Sequence, residues 1–441
     1  MNMTRAIVAA LLGLIVWLPA SGASAVEIKE ITTPLGIKAW LVEDKSTPVV
    51  ALSFSFPGGS ASDADDQKGI TSLAAAMLTD GAGPFPSQAF RQRQQDAAAS
   101  LGFSASLDRL SGSLRVLSAT RQEGFDLLAL ALTKPRFDLE MVEQRSAQFI
   151  ANLNQASQRP STVAARTMMA TVFSGHPYAA NSEGVRESLK TLTPDDLKRR
   201  AAQLLTRSGL VVAAVGDIDA AELARQLDRT FGSLPVGELK PLPPEWAPTA
   251  KPRTIIVERA VPQSSVQMTL PGIARDDPDW YAALVMNHIL GGGTQSRLFT
   301  EVREKRGLAY SIGSGLRTYR KASLLVISTG SANERVAETV RLIRGELVRL
   351  RGKGVNEQEL ADAKTYLSGA LALSLDSSGS IANLLLSLQV DGLPRDYLDK
   401  RAALIGAVKL DDVRRVTRRL LRDEALTTIV VGKPVGLTAE N

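Results

Sequence analysis

Cysteine is absent from the 441-residue sequence, and histidine occurs only twice. The first absence excludes disulfides, thiolate nucleophiles and Cys-ligated zinc. The second leaves His176 and His288 as the only imidazoles. His176 precedes a proline in the turn-like "SGHPY", and His288 closes an apolar helical run in "VMNHILGGG", the usual setting of a satisfied or partly exposed histidine. Neither is accompanied by the residues of a Ser-His-Asp arrangement or of a second metal site. The net charge is +6 and the pI about 9.5, yet the sequence has no long block of like charge. This describes a solvated basic surface and not a nucleic-acid-binding stripe. Beyond the N-terminus no apolar run is long enough to cross a membrane.

The N-terminus does carry a signal. Arg5 precedes an apolar core from Ala6 to Leu18, and Ala23-Ser24-Ala25 forms a small-x-small site. The pattern is that of a secretory signal peptide over residues 1–25, cleaved before Val26. It predicts an exported, periplasmic chain with no integral membrane span after cleavage. The composition, 44% hydrophobic and 22% charged, is globular, and the length suits two or three domains.

Strand-like and helical patterns alternate along the mature chain. Val49 to Phe56 reads as a buried strand, and residues 69–78 read as a helix. "TPDDLKRRAAQLL" begins a helix with Thr193 as cap, Pro194 at the first position and Asp195 and Asp196 in the first turn. Asn356 and Glu359 form a second capping pattern. Residues 234–254 hold six prolines, a stiff, extended linker. The second half then echoes the first. "TPDDLKRRAAQLLTRSGLVVAAVGD" from Thr193 and "KLDDVRRVTRRLLRDEALTTIVVGK" from Lys409 align without a gap at an offset of 216 residues. Asp195/Asp411, Asp196/Asp412, Leu204/Leu420, Leu205/Leu421, Val215/Val431 and Gly216/Gly432 are identical. The predicted fold is therefore α+β: two duplicated domains, each a largely antiparallel sheet backed by helices, over residues 26–235 and 255–441, joined by a Pro-rich linker at 236–254.

Within this frame "GITSLAAAMLTDGAG", residues 69–83, is a glycine-opened apolar helix closed by Asp80-Gly81. Together with the duplication and the linker, it resembles the pitrilysin/insulinase metallopeptidases, which include bacterial processing proteases and the mitochondrial processing peptidase. Active members carry the inverted zinc motif H-x-x-E-H on this helix: two histidines bind zinc, the glutamate is the general base, and a downstream glutamate is the third ligand. Gly69, Met77, Leu78 and Gly81 match the flanks. Ser72 and Ala76 replace the histidines, Ala75 replaces the base, and Asn152 falls at the third ligand. The resemblance thus implies no metal in this chain.

The same resemblance implies that the second half keeps its part. "LGGGTQSRLFTEVREKRGLAYSIGSG", residues 290–315, is similar to the family's most recognisable C-terminal segment. Gly291, Gly292 and Gly293 form a loop that a peptide backbone could approach closely. Arg303 and Tyr310 match the pair with which active members complete their site. A tyrosine hydroxyl can donate to the oxyanion on a scissile carbonyl, and an arginine can fork to a substrate carbonyl or orient the tyrosine. Family members of this size work as pairs of chains. The expectation is a subunit inactive alone, which contributes catalytic Arg303 and Tyr310 and the substrate-binding glycines to a homologous, zinc-carrying partner acting on peptides. The alternative is a non-enzymatic scaffold, like the family members that became core proteins of a respiratory complex.

Overall fold

The computed structural model describes residues 27–238, 242–248, 251–373 and 375–440. The leader expected over residues 1–25 lies outside them. Two sheets organise the chain. Across the first, the strands run Lys29–Thr32, Lys38–Glu43, Val211–Gly216, Val49–Pro57, Arg109–Leu117 and Ser100–Ala105. Across the second they run Arg253–Glu258, Thr427–Gly432, Gln263–Pro271, Ala322–Ala332 and Ala309–Tyr319. Leaving aside the short first strand, the two orders coincide. In each sheet only one pair is parallel: Lys38–Glu43 with Val211–Gly216, and Arg253–Glu258 with Thr427–Gly432. The fold is the expected one, a repeated α+β unit with largely antiparallel sheets.

The repeat extends to backbone detail. Gly216 and Gly432 close equivalent strands, and each lies where the neighbouring strand comes too near for a side chain. A Cβ on Gly216 would stand 2.0 Å from Val49 O, and one on Gly432 would stand 2.8 Å from Ser264 Cα. Thr193 caps its helix as expected and goes further, forming a capping box with Asp196 in which Thr193 N donates to Asp196 Oδ2 at 2.9 Å; Lys409 N repeats this contact with Asp412 Oδ2 at 2.9 Å. Asn356 and Glu359 likewise bond reciprocally, at 2.9 Å each way.

Each half also covers the other's sheet. Helix Pro160–Val172 of the first half places Ala164 and Met168 on Ile429 and Val431 of the second sheet. Helix Ser378–Val390 of the second half sets Ala382, Leu385 and Leu388 against Ala213 and Val215 of the first. Asn383 Oδ1 accepts from Ser53 Oγ at 2.8 Å, and Gln389 Nε2 donates to Val212 O at 3.0 Å. Both faces of Val49–Pro57 and Val211–Gly216 are therefore buried, and the one polar stretch, Ser53 and Ser55, is hydrogen-bonded there.

The described part of the linker is fastened at both ends of this junction. Trp246 Nε1 donates to Val172 O at 3.0 Å and Trp246 N to Lys321 O at 3.0 Å. Its ring packs on Phe173, which also meets Tyr178 and Tyr319 edge-on. His176 occupies a structural position here: Nδ1 accepts from Tyr178 N at 3.1 Å, so Nε2–H donates to Pro244 O at 2.9 Å.

Candidate functional site

Helix Ile70–Met77 starts at Gly69, whose φ of 95° suits glycine. A Cβ there would also lie 2.7 Å from Gly184 Cα. The opening glycine therefore admits the 181–184 loop onto the helix. Leu73, Ala75 and Met77 face the core, Ala75 being 1% exposed, while Ser72 and Ala76 are half-buried. Ser72 Oγ donates to Ser182 O at 2.6 Å, so its hydroxyl is occupied by that loop. Asn152 is exposed on helix Leu139–Ser157 and accepts from Gln148 Nε2 at 2.9 Å. One hydroxyl, two methyl groups and an exposed amide do not make a zinc site. Among the described residues no group of three histidines, aspartates or glutamates is arranged to hold a metal.

Behind this helix stands a network that sequence reasoning missed. Asp63 Oδ2 accepts from Gly69 N at 3.1 Å, which caps the helix, and Oδ1 accepts from Thr71 Oγ1. Arg200 Nε donates to Thr71 Oγ1 at 2.7 Å, and Nη2 reaches Ser62 Oγ at 2.7 Å and Asp63 Oδ1 at 3.1 Å. Both charges are buried. Burial pushes the Asp63 carboxyl up and the Arg200 guanidinium down, each opposed by the partner's charge. The sequence signal available was an aspartate six residues before the opening glycine; nothing marked Arg200 as its partner.

The second half presents a different picture. Arg303 lies in a π-helical turn, Phe299–Glu304, continued by Lys305 N donating to Thr300 O at 3.0 Å. Such turns accompany functional sites in many proteins. The Arg303 guanidinium stacks over the rings of Phe299 and Tyr310, at 4.7 and 5.2 Å. The structure thus brings Arg303 and Tyr310 together. Tyr310 is the second residue of strand Ala309–Tyr319, within an irregularity in pairing, and it is 84% exposed. Among the described residues its hydroxyl has no hydrogen-bond partner, and the Arg303 side chain has neither ion pair nor hydrogen bond. The local carboxylate, Glu301, is taken by Lys305 at 2.5 Å and Arg306 at 2.7 Å, which hold it below its usual range.

The three glycines divide. Gly291 ends helix Trp280–Gly291 where a Cβ would come within 2.7 Å of Ser314 N, so close packing on strand Ala309–Tyr319 requires it. Gly292 is exposed and Gly293 half-buried, both beside His288. His288 stacks on Tyr366 at 4.5 Å, and burial lowers its imidazole pKa.

Comparison with known proteins defines the class. The family model described as "Insulinase (Peptidase family M16)" matches residues 38–184, and "Peptidase M16 inactive domain" matches residues 191–367. The chain belongs to the M16 peptidase family. It is 29% identical over 317 residues to an uncharacterized zinc protease of Streptomyces coelicolor, covering 70% of this chain and 68% of that one. It is 26% identical over 396 residues to the non-peptidase homolog YmxG of Helicobacter pylori, covering 90% of each. Among solved structures, an M16 inactive-domain protein from Pseudomonas fluorescens superposes with a TM-score of 0.88 at 27% identity, over 93% of this chain and 99% of that one. With its substituted metal positions, this chain is an inactive-type member of the family.

Proposed function

We propose that this chain is the non-zinc subunit of a heteromeric M16 endopeptidase, supplying Arg303 and Tyr310 to a site whose metal and general base belong to a homologous partner. The observation that carries this reading is the exposed Tyr310 hydroxyl, without a hydrogen-bond partner among the described residues, backed by a guanidinium held only by the rings of Phe299 and Tyr310 among those residues. A tyrosine retained only for packing would be buried. As the scissile carbonyl becomes tetrahedral, the hydroxyl donates a hydrogen bond to its oxygen and the guanidinium fixes the adjoining peptide. Gly292 and Gly293, beside His288, leave the backbone there open to an extended peptide. The chain works outside the cytoplasm, in the periplasm, as its leader indicates; among the described residues no helix is long and apolar enough to cross a membrane. The division into a first half to 235, a linker over 236–254 and a second half from 255 belongs to the same reading.

The test is kinetic. Tyr310→Phe in the reconstituted complex should leave assembly intact and lower kcat about 10²–10³-fold, the usual cost of one oxyanion donor. Arg303→Ala should lower kcat and also raise KM. Unchanged kcat/KM for Tyr310→Phe would reject the catalytic role in favour of a scaffold.

A further inference from the structure

Glu346 lies on helix Val336–Lys353, on the same face as buried Ile343, Leu347 and Leu350. It is 1% exposed, and this face shares a core with Val302 of the π-helical turn. A carboxylate so buried is normally hydrogen-bonded. Here Oε1 receives no hydrogen bond, although Arg349 Nη2, on the same helix, comes within 2.9 Å of it. From the packed elements, the charges acting on Glu346 are Arg297, Glu301 and Lys305. Arg297 is held in a fork by Glu359 at 2.7 and 2.7 Å, and Lys305 by Glu301. Helix Leu410–Leu420 buries Val413, Val416, Thr417 and Leu420, and strand Ala322–Ala332 is uncharged. Burial raises the carboxyl pKa above its ordinary range, with Arg349 opposing.

We propose that Glu346 is a positioning residue for the Arg303–Tyr310 pair: as a neutral acid it seats the π-helical turn that carries Arg303, and as a carboxylate, opposed chiefly by the half-exposed Arg349 on its own helix, it adds a second negative charge near Glu301 and loosens that turn. The inference rests on reading the pair as functional, but its test uses the isolated full chain and needs no turnover. The folded state holds this proton more tightly than the unfolded chain. The stabilisation is therefore complete below the ordinary glutamate pKa of about 4.3 and is lost as pH rises through the folded value. Hydrogen exchange over residues 299–310, corrected for intrinsic exchange, should show protection falling with rising pH in the wild type. The limit is about tenfold per pH unit for one proton. Glu346→Gln should be flat over the same range, and residues 193–216 should not respond in either chain. Equal pH dependence in wild type and Glu346→Gln would overturn the proposal. So would a turn loosened at low pH by Arg349→Ala, which would make Glu346 an ordinary ion-pair member; that arm stands even if Glu346→Gln does not fold. Tyr310→Phe kinetics decide the functional reading independently.

Discussion

The two halves share a strand order and differ at the corresponding turns. Ser87, Phe90 and Ala98 correspond to Ser296, Phe299 and Gly307. In the first half this stretch is a regular helix, Ser87–Asp96. In the second it contains the π-helical turn that places Arg303 beside Tyr310. On the neighbouring helices the contrast reverses. Helix Ile70–Met77 has small side chains in its metal positions and retains a buried ionic network behind them. Strand order is thus shared by the two halves, while the backbone of this turn and the distribution of polar side chains differ between them.

The largest expected effect comes from separating the halves. Residues 27–238 alone would expose the face covered by Ala382, Leu385 and Leu388, and residues 251–440 alone would expose the face covered by Ala164 and Met168. Neither fragment should give a cooperative thermal transition, whereas co-expressed fragments should. A fragment that melts cooperatively alone would show that the mutual cover is dispensable. Next in size is Arg200→Met, which strands the Asp63 carboxylate in the interior. Breaking a buried pair in this way costs about 3–5 kcal/mol. With its cation gone, Asp63 has a folded pKa above the unfolded one, so the deficit should shrink as pH falls and be greatest at neutral pH. Denaturant titrations at two pH values check both the size and the sign. A deficit that grows on acidification would contradict the account.

Much of this was legible in the sequence because it depended on local chemistry. The 216-residue offset worked because caps and strand-closing glycines recur at fixed positions: Thr193 and Lys409 start equivalent helices, and Gly216 and Gly432 end equivalent strands. The stripped metal positions were readable through the family resemblance, because Gly69, Met77, Leu78 and Gly81 fix the frame and the Ala75 and Ala76 within it cannot ligate. The crossing helices were not legible. Ala382 and Leu385 look the same in sequence whether they cover their own sheet or the other one. Asp63 and Arg200 were missed for a similar reason, being far apart in the chain and joined only by folding. The π-helical turn was invisible because its residues have ordinary helical propensity.

Smaller effects test the vacated helix. Ser72→Ala removes the 2.6 Å bond to Ser182 O and should cost about 0.5–1.5 kcal/mol of stability while leaving turnover in the proposed complex unchanged. Loss of activity without loss of stability would mean that the metal position still has a role.

The smallest effects come from a reciprocal exchange at one corresponding position. Ala98 and Gly307 both follow the differing helical stretch, with φ of 48° and 59°. A Cβ on Gly307 would meet nothing within 4 Å, so Gly307→Ala adds left-handed strain without a clash. That strain is about 1–2 kcal/mol, offset by about 0.4–1 kcal/mol from a less flexible unfolded chain. A net loss of roughly 0.5–1 kcal/mol is expected. Ala98 is exposed, so Ala98→Gly removes little packing and relieves the same strain; a gain of similar size is expected. Opposite signs at corresponding positions would show that the repeat fixed the backbone conformation before the residue suited to it. Two losses would mean that Ala98 makes a contribution beyond its conformation. Gly307 lies between Arg303 and Tyr310, its N–H donating to Arg303 O at 2.9 Å. Gly307→Ala should therefore also increase exchange across residues 299–310, while Ala98→Gly should not.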